Sequence, residues 1–203
     1  MADICCITND IGLLGCEDAG ASGISEAWIA NYADITAIAV GPFGQVTGIT
    51  LCPTKCFFTL QTLREGAGAT EAYASRRGSM SSTTTFLAEF QAETPEQMYR
   101  VRQSFGGQFV IIYKDKNGNF KLVGKVSPLE HADGTYTSGK GVDDDRGWTI
   151  NLVTNEGSKN GGIRAFQTIG NPGDTQAVLN AATEQYIQTI VCTAAGAPCG
   201  CPE

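Results

Sequence analysis

The chain has 203 residues, 42% of them hydrophobic and only 17% charged, with 25 glycines and a formal net charge of -7. That balance disfavours a disordered chain and suits many short strands joined by turns around a real core. The negative charge argues against a surface that grips nucleic acid, and no apolar run approaches the ~20 residues of a membrane-spanning helix.

The first ten residues, MADICCITND, carry neither a basic start nor an apolar stretch, which reads as a chain made without a secretory signal, in a cytosol where thiols stay reduced. From residue 23, GISEAWIAN places Trp28 and Ile29 in a buried-looking run. Residues 35–40 (ITAIAV), a Gly41-Pro42-Phe43-Gly44 turn and residues 45–51 (QVTGITL) predict a hairpin. Residues 56–63 (CFFTLQTL) predict a strand with Phe57 and Phe58 on opposite faces.

Residues 71–77 and 79–92 predict a long hairpin turned at Arg77-Gly78. Its second strand is rich in hydroxyls (SMSSTTT), and a strand without an apolar face is a liability at a sheet edge. Pairing with a neighbouring copy would resolve this; the alternative is a flexible exposed arm. Tyr73, Arg76, Arg77, Ser81, Thr83 and Thr85 are therefore candidate self-interface residues. The acidic loop of Asp143, Asp144 and Asp145 on a neighbour is a candidate seat for the paired arginines, against the plainer reading of a solvated tip.

Thr94, Pro95 and Gln97 occupy the N-cap, N1 and N3 positions of a helix that Gly106-Gly107 stops. Residues 109–113 (FVIIY) are apolar throughout, as in a strand covered on both faces, and Asn117-Gly118 predicts a primed turn into the alternating return strand 120–126. Residues 148–153 (WTINLV) predict the last strong strand. Asp174 is the expected N-cap of a helix over 175–191, with Val178, Leu179, Ala182, Tyr186, Ile187 and Ile190 at helical spacing, packed on the sheets or on a neighbour. The fold class is mainly β, an antiparallel sandwich or barrel with a flanking helix, a long hairpin and a C-terminal helix. The β domain is taken as residues 1–170, with hairpin 71–92 and helix 94–105. Residues 171–203 are a C-terminal helix and Cys-rich tail, part of the same domain or a packing extension.

No constellation for catalysis stands out, and the chain reads as non-enzymatic, with no cofactor. His131, the only histidine, has no accompanying nucleophile motif and reads as a loop residue. Residues 134–141 (GTYTSGKG) approach a phosphate-binding loop, but Gly141 replaces the magnesium-holding Ser/Thr and the strand–loop–helix context is missing. The three consecutive aspartates cannot all point at one cation. The eight cysteines cluster at both ends and in the pair Cys52/Cys56. Cys52, Cys56, Cys199 and Cys201 fit zinc spacing loosely; terminal disulfides and inert free thiols are the alternatives.

Three blocks carry a resemblance. GISEAWIANYADI from Gly23, the strand–Asn-Gly–strand unit over 107–124 and the stretch SGKG to DRGWTI over 138–150 are similar to virion structural proteins of crAss-like, Bacteroidetes-infecting tailed phages. Arg146-Gly147 stands where that pattern more usually has Asn-Gly, and the C-terminal helix and Cys-rich tail depart from it. The resemblance implies a tail-tube-like fold assembled as a homo-oligomeric ring in the tail or neck. Such a ring would be made in the bacterial cytoplasm, lie beside other tail or neck proteins, and pass DNA only as transient, non-specific cargo, with no membrane. Two other classes remain: a zinc- or disulfide-dependent thiol protein, and a monomeric β-sandwich module that binds a surface.

Overall fold

The computed structural model describes residues 23–62, 66–76, 79–90, 94–138, 147–156, 162–168, 170 and 174–192. The strands are β1 (Ile24–Asn31), β2 (Ile35–Val40), β3 (Val46–Leu51), β4 (Phe58–Thr59), β5 (Ala67–Arg76), β6 (Ser79–Phe90), β7 (Gln108–Asp115), β8 (Phe120–Val123), β9 (Leu129–Thr137), β10 (Gly147–Glu156) and β11 (Arg164–Ala165). Helices α1 (Pro95–Gln103) and α2 (Gln176–Ile190) complete the set.

β7 organises everything. Phe109, Val110, Ile111, Ile112 and Tyr113 are all buried, because side chains alternate across a strand and both faces are covered. Phe109, Ile111 and Tyr113 enter one core with Phe86, Ala88, Leu129, Ile150 and Leu152. Val110 and Ile112 enter a second with Trp28, Val46, Ile49, Phe57, Phe120, Leu122, Phe166 and Ile187. The strand therefore belongs to a middle layer, with sheet on one side and the β2–β3 hairpin and α2 on the other.

The register builds those layers. β1 lies antiparallel to β7 along one edge (Trp28 opposite Ile112) and carries β4 on its other side. Along β7's second edge, β8 pairs with the later half and β9 with Gln108 and Phe109. The break between them falls at Gly124, whose φ of +90° and close approach to the Phe109 carbonyl leave no room for a Cβ. β9 then leaves the middle layer and pairs with β10, which pairs with β6, which pairs with β5. The result is the antiparallel, mainly β fold expected from the strand pattern.

Local signals acted largely as their chemistry dictates. Met98 N–H donates to the Thr94 carbonyl at 3.0 Å, closing the first turn of α1 over Pro95. Phe57 is fully buried and Phe58 exposed, although only Phe58 and Thr59 pair as a strand. The Asn117-Gly118 turn differs from expectation: only Gly118 takes a positive φ, +82°. The Asp115 carboxylate accepts from Asn117 N–H (3.0 Å) and Asn119 N–H (2.8 Å), so an aspartate-organised turn replaces the primed one. At α2 the N-cap position falls on Thr175 rather than Asp174, and it makes no side-chain capping bond.

α2 packs on this chain's own middle layer. Ile187 joins the second core, and the Tyr186 hydroxyl accepts from Ile49 N–H (2.9 Å) and donates to the Ile49 carbonyl (2.8 Å). Val178 and Ala182, expected on the packed face, are exposed; Thr183 is buried instead, its hydroxyl taking Thr168 N–H at 3.1 Å. Near the C-terminal end of the helix, Phe57 N–H donates to the Ile190 carbonyl and Cys192 N–H to the Phe57 carbonyl, each at 2.8 Å. A Cys56–Cys192 disulfide seals that junction, with Cα atoms 5.3 Å apart and 136 residues of separation. A loop that long makes the cross-link effective in restricting the unfolded chain. Replacing Cys192 with serine is expected to lower the urea-unfolding free energy by about 3–5 kcal/mol; an unchanged midpoint and slope would show that the bond stabilises nothing.

Candidate functional site

The hydroxyl-rich strand is where sequence and structure part most usefully. The expectation was that β6 lacks partners within its own chain. Instead β6 is an interior strand: it pairs with β5 throughout, and Ser82–Phe90 lie opposite β10 residues Glu156–Trp148. Thr83 sits opposite Asn155 and Ala72, and Thr85 opposite Val153 and Thr70. Ser82 and Thr84 point inward and are buried, Thr84 at 0% exposure beside Thr154. Hydroxyl side chains tolerate burial far better than charges, and β-branched threonine suits a strand. Thr154 donates to the Ser127 carbonyl at 3.1 Å.

Strand β5 holds the edge. It spans ten residues, and among the described residues no strand pairs with its outer side. Glu89 N–H donates to the Gly66 carbonyl at 2.6 Å, so Gly66–Glu89 is a hydrogen-bonded pair. Bonded and non-bonded pairs alternate in an antiparallel ladder, and the β5–β6 register is continuous. The N–H and C=O groups of Ala67, Ala69, Glu71, Tyr73 and Ser75 therefore point outward, away from β6. Gly, Ala, Thr and Ser dominate this edge, which has no proline or bulge to blunt it.

The candidate self-interface residues are placed as follows. Tyr73 stands on β5 opposite Ser82, 63% exposed. Its phenol is held above the ordinary range first by a hydrogen bond to Glu71, then by desolvation and the Glu71 charge. The exposed Ser81 hydroxyl donates to the Ala74 carbonyl at 3.4 Å, across the hairpin. Arg76 pairs in register with Ser79 at the hairpin end. Arg77 and Asp143, Asp144 and Asp145 lie outside the described residues, as do Cys199 and Cys201. Glu71 turns inward, accepting from Ile163 N–H at 3.2 Å. Tyr113, on the facing sheet, has its phenol pushed well up by burial, with the Asp115 and Glu71 charges adding to it.

The zinc set requires correction. The Cys56 thiol is committed to Cys192 and cannot pair with Cys52 as a ligand, and a thiol in a disulfide donates no thiolate. Cys52 keeps a free thiol 3.6 Å from the Thr36 hydroxyl. Among the described residues no group of three or more His, Cys, Asp or Glu converges to hold a metal.

His131 is on strand β9, not in a loop. A bulge where Asn151 and Leu152 meet Asp133 and His131 re-aims the imidazole. Its ring lies 4.5 Å from Phe105, which also meets Trp148 at 5.9 Å, and Trp148 meets Tyr136 at 5.2 Å. Four aromatic rings that the sequence scatters over 105–148 are thus one cluster, beside the turn that ends α1. Residues 134–137 continue β9, so the phosphate-loop-like stretch begins as strand. Beside this cluster, Ile29, Leu60, Phe90, Val101, Phe109 and Leu152 line a partly open apolar cleft of about 240 Å³.

No family model, curated protein or solved structure matches this chain. Among the described residues no helix is long and apolar enough to cross a membrane.

Thr84 offers a clean test of the buried hydroxyl row. Its Oγ1 has no hydrogen-bond partner among the described residues, so it bears a desolvation cost. The isosteric Thr84→Val is expected to raise unfolding free energy by about 1 kcal/mol; a loss of similar size would show that the hydroxyl is bonded.

Proposed function

We propose that this chain is a non-catalytic structural subunit that associates head to tail with copies of itself, forming a closed ring in the tail or neck of a phage particle. The observation that carries this reading is the ten-residue outer edge of β5, whose outward amides and carbonyls lack a strand partner among the described residues. Unpaired edges recruit further strands, and a heterologous contact closes when its rotation divides a full turn. The three sequence blocks similar to phage virion proteins supply the setting. The net charge of -7 suits a lumen that passes DNA as transient cargo without retaining it. Other tail or neck proteins would stack above and below.

The interface lies on β5 rather than on Thr83 and Thr85, whose backbone groups are used within the chain. Proline at either threonine would damage the intramolecular ladder and say nothing about assembly. Ser75 is the informative position: it is exposed, and its N–H faces outward, where an edge strand tolerates proline.

A second reading, a monomeric module binding a surface ligand, draws on the gathered rings of Phe105, His131, Trp148 and Tyr136, with Tyr136 and Phe105 partly open to solvent. Sedimentation velocity across a wide concentration range separates the two. The ring reading expects discrete oligomers for the natural chain, and for Ser75→Pro a folded monomer with association weakened about tenfold or more. A natural chain that stays monomeric at the highest concentrations would favour the binding module instead.

A further inference from the structure

An edge strand alone covers little area, whereas stable interfaces bury about 800 Å² per partner and depend on a few deeply seated side chains. The structure presents one such side chain. Phe43, at the tip of the β2–β3 hairpin, is 92% exposed. Its position is fixed: Gly41 N–H donates to the Gln45 carbonyl (2.8 Å), Gly44 N–H to the Gly41 carbonyl (3.1 Å), and Phe43 N–H to Gln45 Oε1 (3.0 Å). These three hydrogen bonds order the turn backbone that carries the exposed ring, so less backbone ordering is needed to bury it elsewhere.

The surroundings share that character. From Ile35 to Leu51 the hairpin contains no Asp, Glu, Lys or Arg, in a chain that is 17% charged. Thr36, Ala37, Ala39, Val40 and Pro42 are exposed with Phe43, so the hairpin itself adds no charge to this surface; the charges at its margins come from other elements, Arg164 beside Gly44 and Lys125 beside Thr36 and Ala37. Depletion of charge marks the centre of protein–protein interfaces.

The chain also carries a matching hole. The cleft of about 240 Å³ beside α1 is walled by Ile29, Leu60, Phe90, Val101, Phe109 and Leu152. Its one hydroxyl, Ser104, is already tied to the Val101 carbonyl at 2.6 Å, so the lining offers little to a polar ligand. An apolar cavity of ~150 Å³ accepts a benzene ring, so this cleft has room for a phenyl group. Ala88 also lines it and pairs with Ala67, the first residue of β5, so the cleft borders the start of the unpaired edge.

Knob and hole cannot meet within one molecule. The cleft lies between the middle layer and β6–β10, in the core that holds Phe109 and Leu152. The β2–β3 hairpin packs on the opposite face of the middle layer through Val46 and Ile49. We infer that Phe43 of one copy inserts into the cleft between Val101 and Phe90 of the next, making the contact heterologous and the assembly directional. This rests on the self-association reading and specifies which two surfaces meet.

Two variants and their mixture test it by sedimentation velocity, with circular dichroism confirming each fold. Phe43→Asp removes the knob at an exposed turn; Val101→Arg closes the hole from the rim, and Leu60→Lys serves as the second cleft variant should Val101→Arg not fold. Each alone is expected to weaken association roughly 30-fold or more, as for a buried aromatic anchor. Mixed in equal amounts, they are expected to form a one-to-one heterodimer that grows no further, because one partner keeps an intact hole and the other an intact knob. Phe43→Asp assembling like the natural chain, or a mixture that stays monomeric, would overturn the inference. If Ser75→Pro still abolished assembly in that case, self-association through β5 would stand without the knob. A natural chain that never associates would remove both.

Discussion

The burial of β7 on both faces is the constraint from which the rest of this protein follows. A run of five apolar residues cannot be satisfied by a single sandwich interface, because Val110 and Ile112 face away from Phe109, Ile111 and Tyr113. Each such side chain left in water would forgo about 1.5–3 kcal/mol. The chain therefore builds two covers. β9 leaves the middle layer to start the β10–β6–β5 sheet over one face, while the β2–β3 hairpin and α2 close the other. The tyrosine of α2 that grips Ile49 and the disulfide from Cys56 to Cys192 hold the second cover in place.

These covers also explain why, among the described residues, the β5 edge and the Phe43 turn face outward. Among the described residues β5 ends the second sheet, and nothing in the β7-centred core requires a strand beyond it. The β2–β3 hairpin uses Val46 and Ile49 to cover Ile112 and Val110, which leaves β2 and the Phe43 turn turned outward. β5 carries no proline, and the β2–β3 hairpin carries no charged residue of its own, so each lacks one of the devices with which solitary proteins blunt such features. On the proposed reading, completion by further copies would follow from how the core is covered.

Much of the fold was legible in the sequence where the determining physics is local. FVIIY announced a strand covered on both faces, Thr94-Pro95 opened a helix, and the turn at Gly41–Gly44 separated hairpin strands where strands occur. What escaped was non-local. Ser82 and Thr84 read as too polar for a core, yet a strand placed between two others satisfies its backbone completely, and the hydroxyls then follow it inward. Cys56 and Cys192 are 136 residues apart, and no spacing rule joins them. The Asn117-Gly118 hairpin was found but its turn misread, because the Asp115 side chain, not the two central residues, dictates the geometry. At the candidate site, Tyr73 and the hairpin were visible. The uncharged stretch around Phe43 was legible in the sequence as well.

Amide hydrogen exchange of the natural chain, compared at dilute and assembled concentrations, probes the β5 edge most directly. If copies pair along it, the amides of Ala69, Glu71, Tyr73 and Ser75 become protected as the protein associates, while those of Thr70, Ala72 and Ala74, already bonded to β6, change little. Outward amides that exchange equally fast at every concentration would contradict the account.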